Sequence, residues 1–326
     1  MAIKALGNPK ATYKAVWNVS GTGAASGPYV YPGAGTWIGD RGIAAGGNKS
    51  GGHSDTIDYY DISSISNAGD FGDLTTARHA AWGCSNSTRG LICGGYNTIQ
   101  SIDYITIATT ATAEDFGDLT VGRHDAGGAS DGYRGVFAGG TTGTRQTVIE
   151  YVVVETAADA TTFGSLAAAT AGCSGAASAT YGLYGGGNDG SKITQINYIT
   201  FSTLGDSSDF GDLTLARATA NGSCSNTTRA LWAAGGGASA NTDVIDYVDT
   251  ASLSSATDFG DVVQTAIEGL SGAANATRAT FAGGINSGSR SNIIQYVTIS
   301  TPGDATDAAD LTAGIRTPTG FSGNPS

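Results

Sequence analysis

Along this chain, apolar and polar positions change over too quickly for helices. Nowhere do apolar residues recur at three- and four-residue spacing across ten or more positions. Residues 101–107 and 148–154 are dense in β-branched side chains and tyrosine and predict strands. In residues 147–154 both faces are apolar, as befits a strand covered on both sides. The runs 125–130 and 220–225 hold mostly Gly, Ala, Ser and Cys, which predicts strands packed where only small side chains fit.

These segments recur in order. A diglycine follows a short apolar run at Gly46-Gly47, Gly94-Gly95, Gly139-Gly140, Gly185-Gly186, Gly235-Gly236 and Gly283-Gly284. An aliphatic–polar–Tyr triplet ends at Tyr59, Tyr104, Tyr151, Tyr198, Tyr247 and Tyr296, at intervals of 45, 47, 47, 49 and 49 residues. An Asp-Phe-Gly-Asp-Leu box begins at Asp70, Asp115 and Asp209, and at Asp258 with Val262 in place of Leu. It is altered to Thr162-Phe163-Gly164-Ser165-Leu166 in the third copy and to Asp307-Ala308-Ala309-Asp310-Leu311 in the sixth. Three markers in one phase, at a period typical of four-stranded blades, predict an all-β, six-bladed β-propeller over residues 40–326.

The first repeat enters at its second strand, because residues 41–47 match 89–95 and 134–140. The chain's end supplies the missing piece: residues 316–323 follow the sixth box as an innermost strand does elsewhere. A C-terminal strand is therefore expected to complete the N-terminal blade, leaving no open sheet edge. Residues 1–39 stand outside the repeat and predict an extended N-terminal arm.

Charge divides the same way. The chain carries 16 cationic and 28 acidic side chains, net −12. The arm has Lys4, Lys10 and Lys14 and no acid, which leaves 13 cations against 28 acids in the remainder. So acidic a body argues against binding nucleic acid. No apolar run reaches the ~18–20 residues of a membrane span, and the first residues lack a signal-peptide core. Cys84, Cys173 and Cys224 fall at one point of different repeats and read as small buried thiols rather than disulfide partners.

Nine of the eleven arginines sit at repeat positions. Arg41, Arg89, Arg134, Arg229 and Arg278 open second strands. Arg78, Arg123 and Arg217 lie five residues after the second Asp of the box, and Arg316 lies six after it. The expectation is structural: Asp73, Asp118 and Asp212 order their own turns and pair with these arginines. Calcium would need six or more oxygens, and the box offers two carboxylates at awkward spacing. His79 and His124 are repeat-equivalent and predict a packing or turn role, and His53 lies in a polar loop. Neither a nucleophile–base pair nor metal-ligand spacing emerges, so neither catalytic residues, a metal nor a cofactor is expected. Recognition fits better. The loops after each diglycine are polar and differ between repeats, with His53, Tyr96, Asn97, Arg145, Asp189, Lys192 and Arg290 as binding candidates.

The diglycine ending the second strand, with Tyr in the third, resembles the kelch repeat, although Trp17, Trp37, Trp82 and Trp232 are out of phase with that repeat's usual downstream tryptophan. The fuller unit, Arg-Gly, two or three apolar residues, Ala-Gly-Gly, then Ile-Asp-Tyr and Asp-Phe-Gly-Asp-Leu-Thr, resembles kelch-like propellers of bacteriophage virion structural proteins, notably phages of cyanobacteria. The resemblance spans about residues 41–323 and carries over no catalytic residue. It implies a tail, fibre, baseplate or capsid-surface protein, assembled in the host cytoplasm and part of a homo-oligomeric or multi-protein structure. In that setting Lys4, Lys10, Tyr13, Lys14 and Trp17 would anchor the arm on other virion proteins, and the loops would meet a host cell-surface glycan. The alternative is a stand-alone carbohydrate-binding or glycan-hydrolysing propeller.

Overall fold

The computed structural model describes residues 31–218, 222–265 and 267–325. Met1–Pro32 form one unit and Gly33–Ser326 another. The arm residues Lys4, Lys10, Tyr13, Lys14 and Trp17 lie outside the described residues. The second unit is a six-bladed β-propeller of antiparallel sheets.

In blade 2 the strands run from the axis outward as Trp82–Ser85, Arg89–Cys93, Ser101–Thr106 and Glu114–Asp118. Blades 3, 4, 5 and 6 repeat this order from innermost strands Gly127–Ser130, Ser174–Ala177, Gly222–Ser225 and Ile267–Ala274. Blade 1 is assembled from both ends of the chain. Its inner strand is Thr319–Gly323, paired along its length with Arg41–Ala45, from Arg41 opposite Gly323 to Ala45 opposite Thr319. Gly52–Asp61 and Gly69–Arg78 complete it. The predicted closure by one strand plus three is what the structure shows.

The inner strands explain the small-residue runs. Gly83, Gly128, Gly175, Ser223, Gly272 and Gly320 meet around an axial channel of about 60 Å³. A Cβ on Gly175 would sit 2.0 Å from the Gly128 carbonyl oxygen, so neighbouring blades touch backbone to backbone. Ser223 is the exception, and its Oγ donates to the Gly175 carbonyl at 2.7 Å. Residues 33–39, grouped with the arm on sequence, pack onto this body. Trp37 is buried and lines the channel with Ile38, and its carbonyl accepts from Ser85 Oγ.

The Asp-Phe-Gly-Asp box is not a turn, as its composition suggested, but the outer strand with a β-bulge. In blade 2, Ile102 faces Gly117 and Asp103 faces Asp115, leaving Phe116 as the extra residue. The same shift recurs in every blade. The bulge turns the phenylalanine inward, where it meets the triplet tyrosine edge-on, at 6.1 Å for Tyr104 and Phe116. Gly117 has φ +145 there, and a Cβ would strike the Ala158 backbone at 2.7 Å.

The diglycine is a pair of left-handed residues ending the second strand, such as Gly46 and Gly47 at φ +64 and +100. This geometry shifts two assignments. In blade 4 the pair is Gly186-Gly187 rather than Gly185-Gly186, and in blade 5 it is Ala234-Gly235, with Ala234 at φ +59.

Arginines join blades, but not through the box aspartates. Arg78 pairs with Asp103 (2.8 Å), Arg123 with Glu150 and Arg217 with Asp246 (2.7 Å), all with side chains fully buried. Each acid is the middle residue of the next blade's Ile–polar–Tyr triplet. The residue after the box binds the same group: Thr75, Thr120, Thr214 and Thr312 donate through both backbone N–H and Oγ1 to Asp103, Glu150, Asp246 and Asp58. The expected pairing with Asp73, Asp118 and Asp212 fails because all three are exposed, whereas the arginine side chains are buried with the triplet acids. The second-strand arginines donate to carbonyls of the following blade, as Arg41 does to Ile107 and Arg229 to Ile299, while lying over the triplet tyrosines.

Candidate functional site

The site forms where outer strands return to the axis. Arg78, Arg123 and Arg217 are each followed by a residue tied to the loop entry of the next blade. Tyr96 N donates to His79 O at 2.9 Å, His124 bridges Thr141, Ala171 bridges Asn188, Ala218 faces Gly236 and Glu268 faces Ile285. In the closing blade the residue with this role is Arg316, bridged to Asn48. Arg316 is thus equivalent to His79 and His124, not to the buried arginines, whose place is taken by Ile315. One residue more after the box puts it there.

The next residue in each connection is left-handed: Ala80, Asp125, Gly172, Gly269 and Thr317 have φ between +49 and +70 among the described residues. Their backbones bond blade to blade, Asp125 N to Ala80 O, Gly172 N to Asp125 O and Thr317 N to Gly269 O. Three of them are not glycine, and each such residue costs about 1–3 kcal/mol. This rigid rim surrounds one end of the channel and presents Arg316, His79, His124 and Asp125 beside it.

Two loops then build on the rim. His53 comes from the tip of blade 1, where it pairs with Asn48, and Tyr96 from the loop of blade 2. The His53 and His79 rings lie 4.4 Å apart, His79 and Tyr96 4.9 Å, and Tyr96 and His124 5.3 Å. All three histidines of the chain therefore gather around Tyr96. His124 Nδ1 is 3.0 Å from Asp125 Oδ2. Burial lowers the pKa of His79 to about 4, helped by the charges of His53 and Arg316, so its imidazole is neutral at neutral pH. Its Nδ1 is buried without a protein partner. Tyr96, by contrast, is 45 % exposed. The arrangement is a shallow aromatic platform with neutral and cationic donors behind it and one carboxylate at its edge. Among the described residues no group of three or more His, Cys, Asp or Glu side chains is placed to hold a metal ion.

The other loop candidates are spread around the ring. Asn97 is exposed beside Tyr96 at φ +68. Arg145 and Asp189 are exposed at the tips of blades 3 and 4. Lys192 is committed to the Gly237 carbonyl of blade 5, and Arg290 donates to Asn48 O at 2.8 Å and to its Oδ1. Sequence reasoning missed His79, His124, Asp125 and Arg316 as site members. Their equivalence in the repeat was read as packing, yet six repeats place Arg, His, His, Ala, Ala and Glu there, and that variation was the available signal. A larger cavity of about 240 Å³ lies at blade 3 between Tyr133, Tyr151 and Asp159 and gathers no comparable chemistry. All four cysteines are buried and free, as expected of Cys84, Cys173 and Cys224, and burial raises the thiol of Cys173 to about 11.

No family model matches the chain, and no curated protein does.

Proposed function

We propose that this protein is a non-catalytic recognition module, a propeller displayed on a bacteriophage particle and held there by its basic N-terminal arm. One observation carries the recognition half. The buried arginines and the triplet acids are consumed by seams between blades, while the unrepeated His53, Tyr96, Asp125 and Arg316 converge with His79 and His124 on one sector. A rigid scaffold with variation concentrated at one rim is how folds carry binding. The particle half is supported by the likeness of the repeat unit to virion propellers and by the contrast between a lysine-bearing arm and an acidic body.

The two halves are tested separately. Peptides of this chain are expected in density-purified particles of a phage encoding it, and a variant lacking residues 1–32 should be absent from them. Glycan-array binding by the purified protein is expected to disappear in Tyr96→Ala at unchanged melting temperature. Normal incorporation of the shortened chain would refute the anchoring role, and an array without signal would refute glycan recognition.

A further inference from the structure

Resting on that recognition reading, we infer that the sector around Tyr96 binds a saccharide bearing a carboxylate. Arg316 is the first reason. Its guanidinium is half-buried, forms no ion pair among the described residues, and its Nε has no hydrogen-bond partner. The repeat's other arginines answer to acids or carbonyls, as Arg78 does to Asp103 and Arg229 to Ile299. A planar fork left unmatched beside an open platform suits a carboxylate, which it grips through two parallel bonds.

His79 is the second. It is more than nine-tenths buried, yet its Nδ1 finds no protein partner, and it lies directly behind the Tyr96 ring. A neutral imidazole there serves a hydroxyl either as donor or as acceptor. Asp125, held by His124, supplies an acceptor for a sugar hydroxyl, and the exposed face of Tyr96 takes the apolar face of a pyranose. Together they offer an aromatic platform, two hydroxyl-binding groups and one cationic fork.

Overall charge narrows the ligand further. The body repels polyanions, so phosphate-rich nucleic acid is disfavoured. An isolated carboxylate on an otherwise uncharged sugar meets only the local cation. The sector thus selects acidic oligosaccharides whose charges are spaced by neutral residues.

The test uses matched pairs, sialyllactose against lactose and cellobiuronic acid against cellobiose, titrated calorimetrically into the full chain. The acidic member of at least one pair should bind about tenfold or more tightly than its neutral partner, the range expected of one charge-assisted contact. Arg316→Gln should bring the acidic member's affinity down to that of its neutral partner, and Arg316→Lys should restore part of the difference. Tyr96→Ala should weaken both members of the pair. Melting temperatures within a few degrees of the parent would show that the variants fold. Equal binding of acidic and neutral sugars by the parent, or a preference surviving Arg316→Gln, overturns this inference and leaves glycan recognition standing. No binding of any sugar overturns both.

Discussion

At the scale of single residues, the seams between blades are governed by matched charge. The position of Arg78 is filled around the ring by Arg78, Arg123, Thr170, Arg217, Ile267 and Ile315, and the facing triplet residues are Asp103, Glu150, Asn197, Asp246, Gln295 and Asp58. Where the guanidinium is lost the carboxylate becomes an amide, except at Asp58, whose carboxyl is pushed up by burial while Thr312 binds it. Burial likewise raises Asp246 and lowers Arg217, so desolvation opposes both charges of a pair that each needs the other. Asp103→Ala should therefore cost about 3–5 kcal/mol by stranding Arg78. The double change Arg78→Thr with Asp103→Asn, which copies the seam of Thr170 and Asn197, should recover most of that in urea denaturation. A double variant as weak as the single would refute the stranded-charge account. His79 gives a second prediction. Its folded-state pKa of about 4 lies below the ordinary 6.5, so both states are neutral above that value. As pH falls from 6.5 towards 4, the unfolded chain takes a proton that the folded site refuses, and stability is lost. The loss should be on the order of 1–2 kcal/mol, below the value for full burial because the imidazole rim meets solvent. His79→Gln should flatten that part of the stability–pH curve, and an unchanged slope would show that other groups set it.

At the scale of strands, much was legible because each element carries its own local signature. Left-handed pairs favour glycine, the bulge carries Phe-Gly in five of the six blades, and inner strands favour small residues, so these markers stand out without an alignment. What resisted reading was phase. A triple glycine at 185–187 and an alanine accepted at φ +59 hid two left-handed pairs, and one extra residue before Arg316 hid its kinship with the histidines. The aromatic cluster was harder still, because His53, Tyr96 and His124 come from different blades and meet only through the ring. Inner-strand packing offers a direct test. Gly175→Ala places a methyl 2.0 Å from the Gly128 carbonyl and should cost about 3 kcal/mol or more through forced separation of blades. Gly143→Ala, at φ +100 in open space, should cost only about 1–2 kcal/mol of backbone strain. Equal losses in the two would show that axial contact is not limiting.

At the scale of the whole molecule, the ring is one closed circuit whose last link is Thr319–Gly323. Removing residues 319–326 bares the edge of Arg41–Ala45 and uncovers Phe321's neighbours Ile43, Ile92 and Ile105 in their shared core. Since a domain's net stability is only about 5–15 kcal/mol, the shortened chain should lose cooperative melting. A calorimetric transition unchanged from the parent would mean that closure is dispensable.

The matched seams have a consequence for how such a gene changes. Tandem repeats invite unequal recombination, which swaps, deletes or homogenises copies. Here each guanidinium is encoded in one repeat and its acid in the next, so a crossover that brings a blade carrying Arg217 against one carrying Asn197 buries a charge with no counterpart. Only exchanges that respect the order of seams leave a foldable product. Each copy is fitted to its two neighbours, and one sector gathers His53, Tyr96, Asp125 and Arg316, which the other blades do not repeat at those positions.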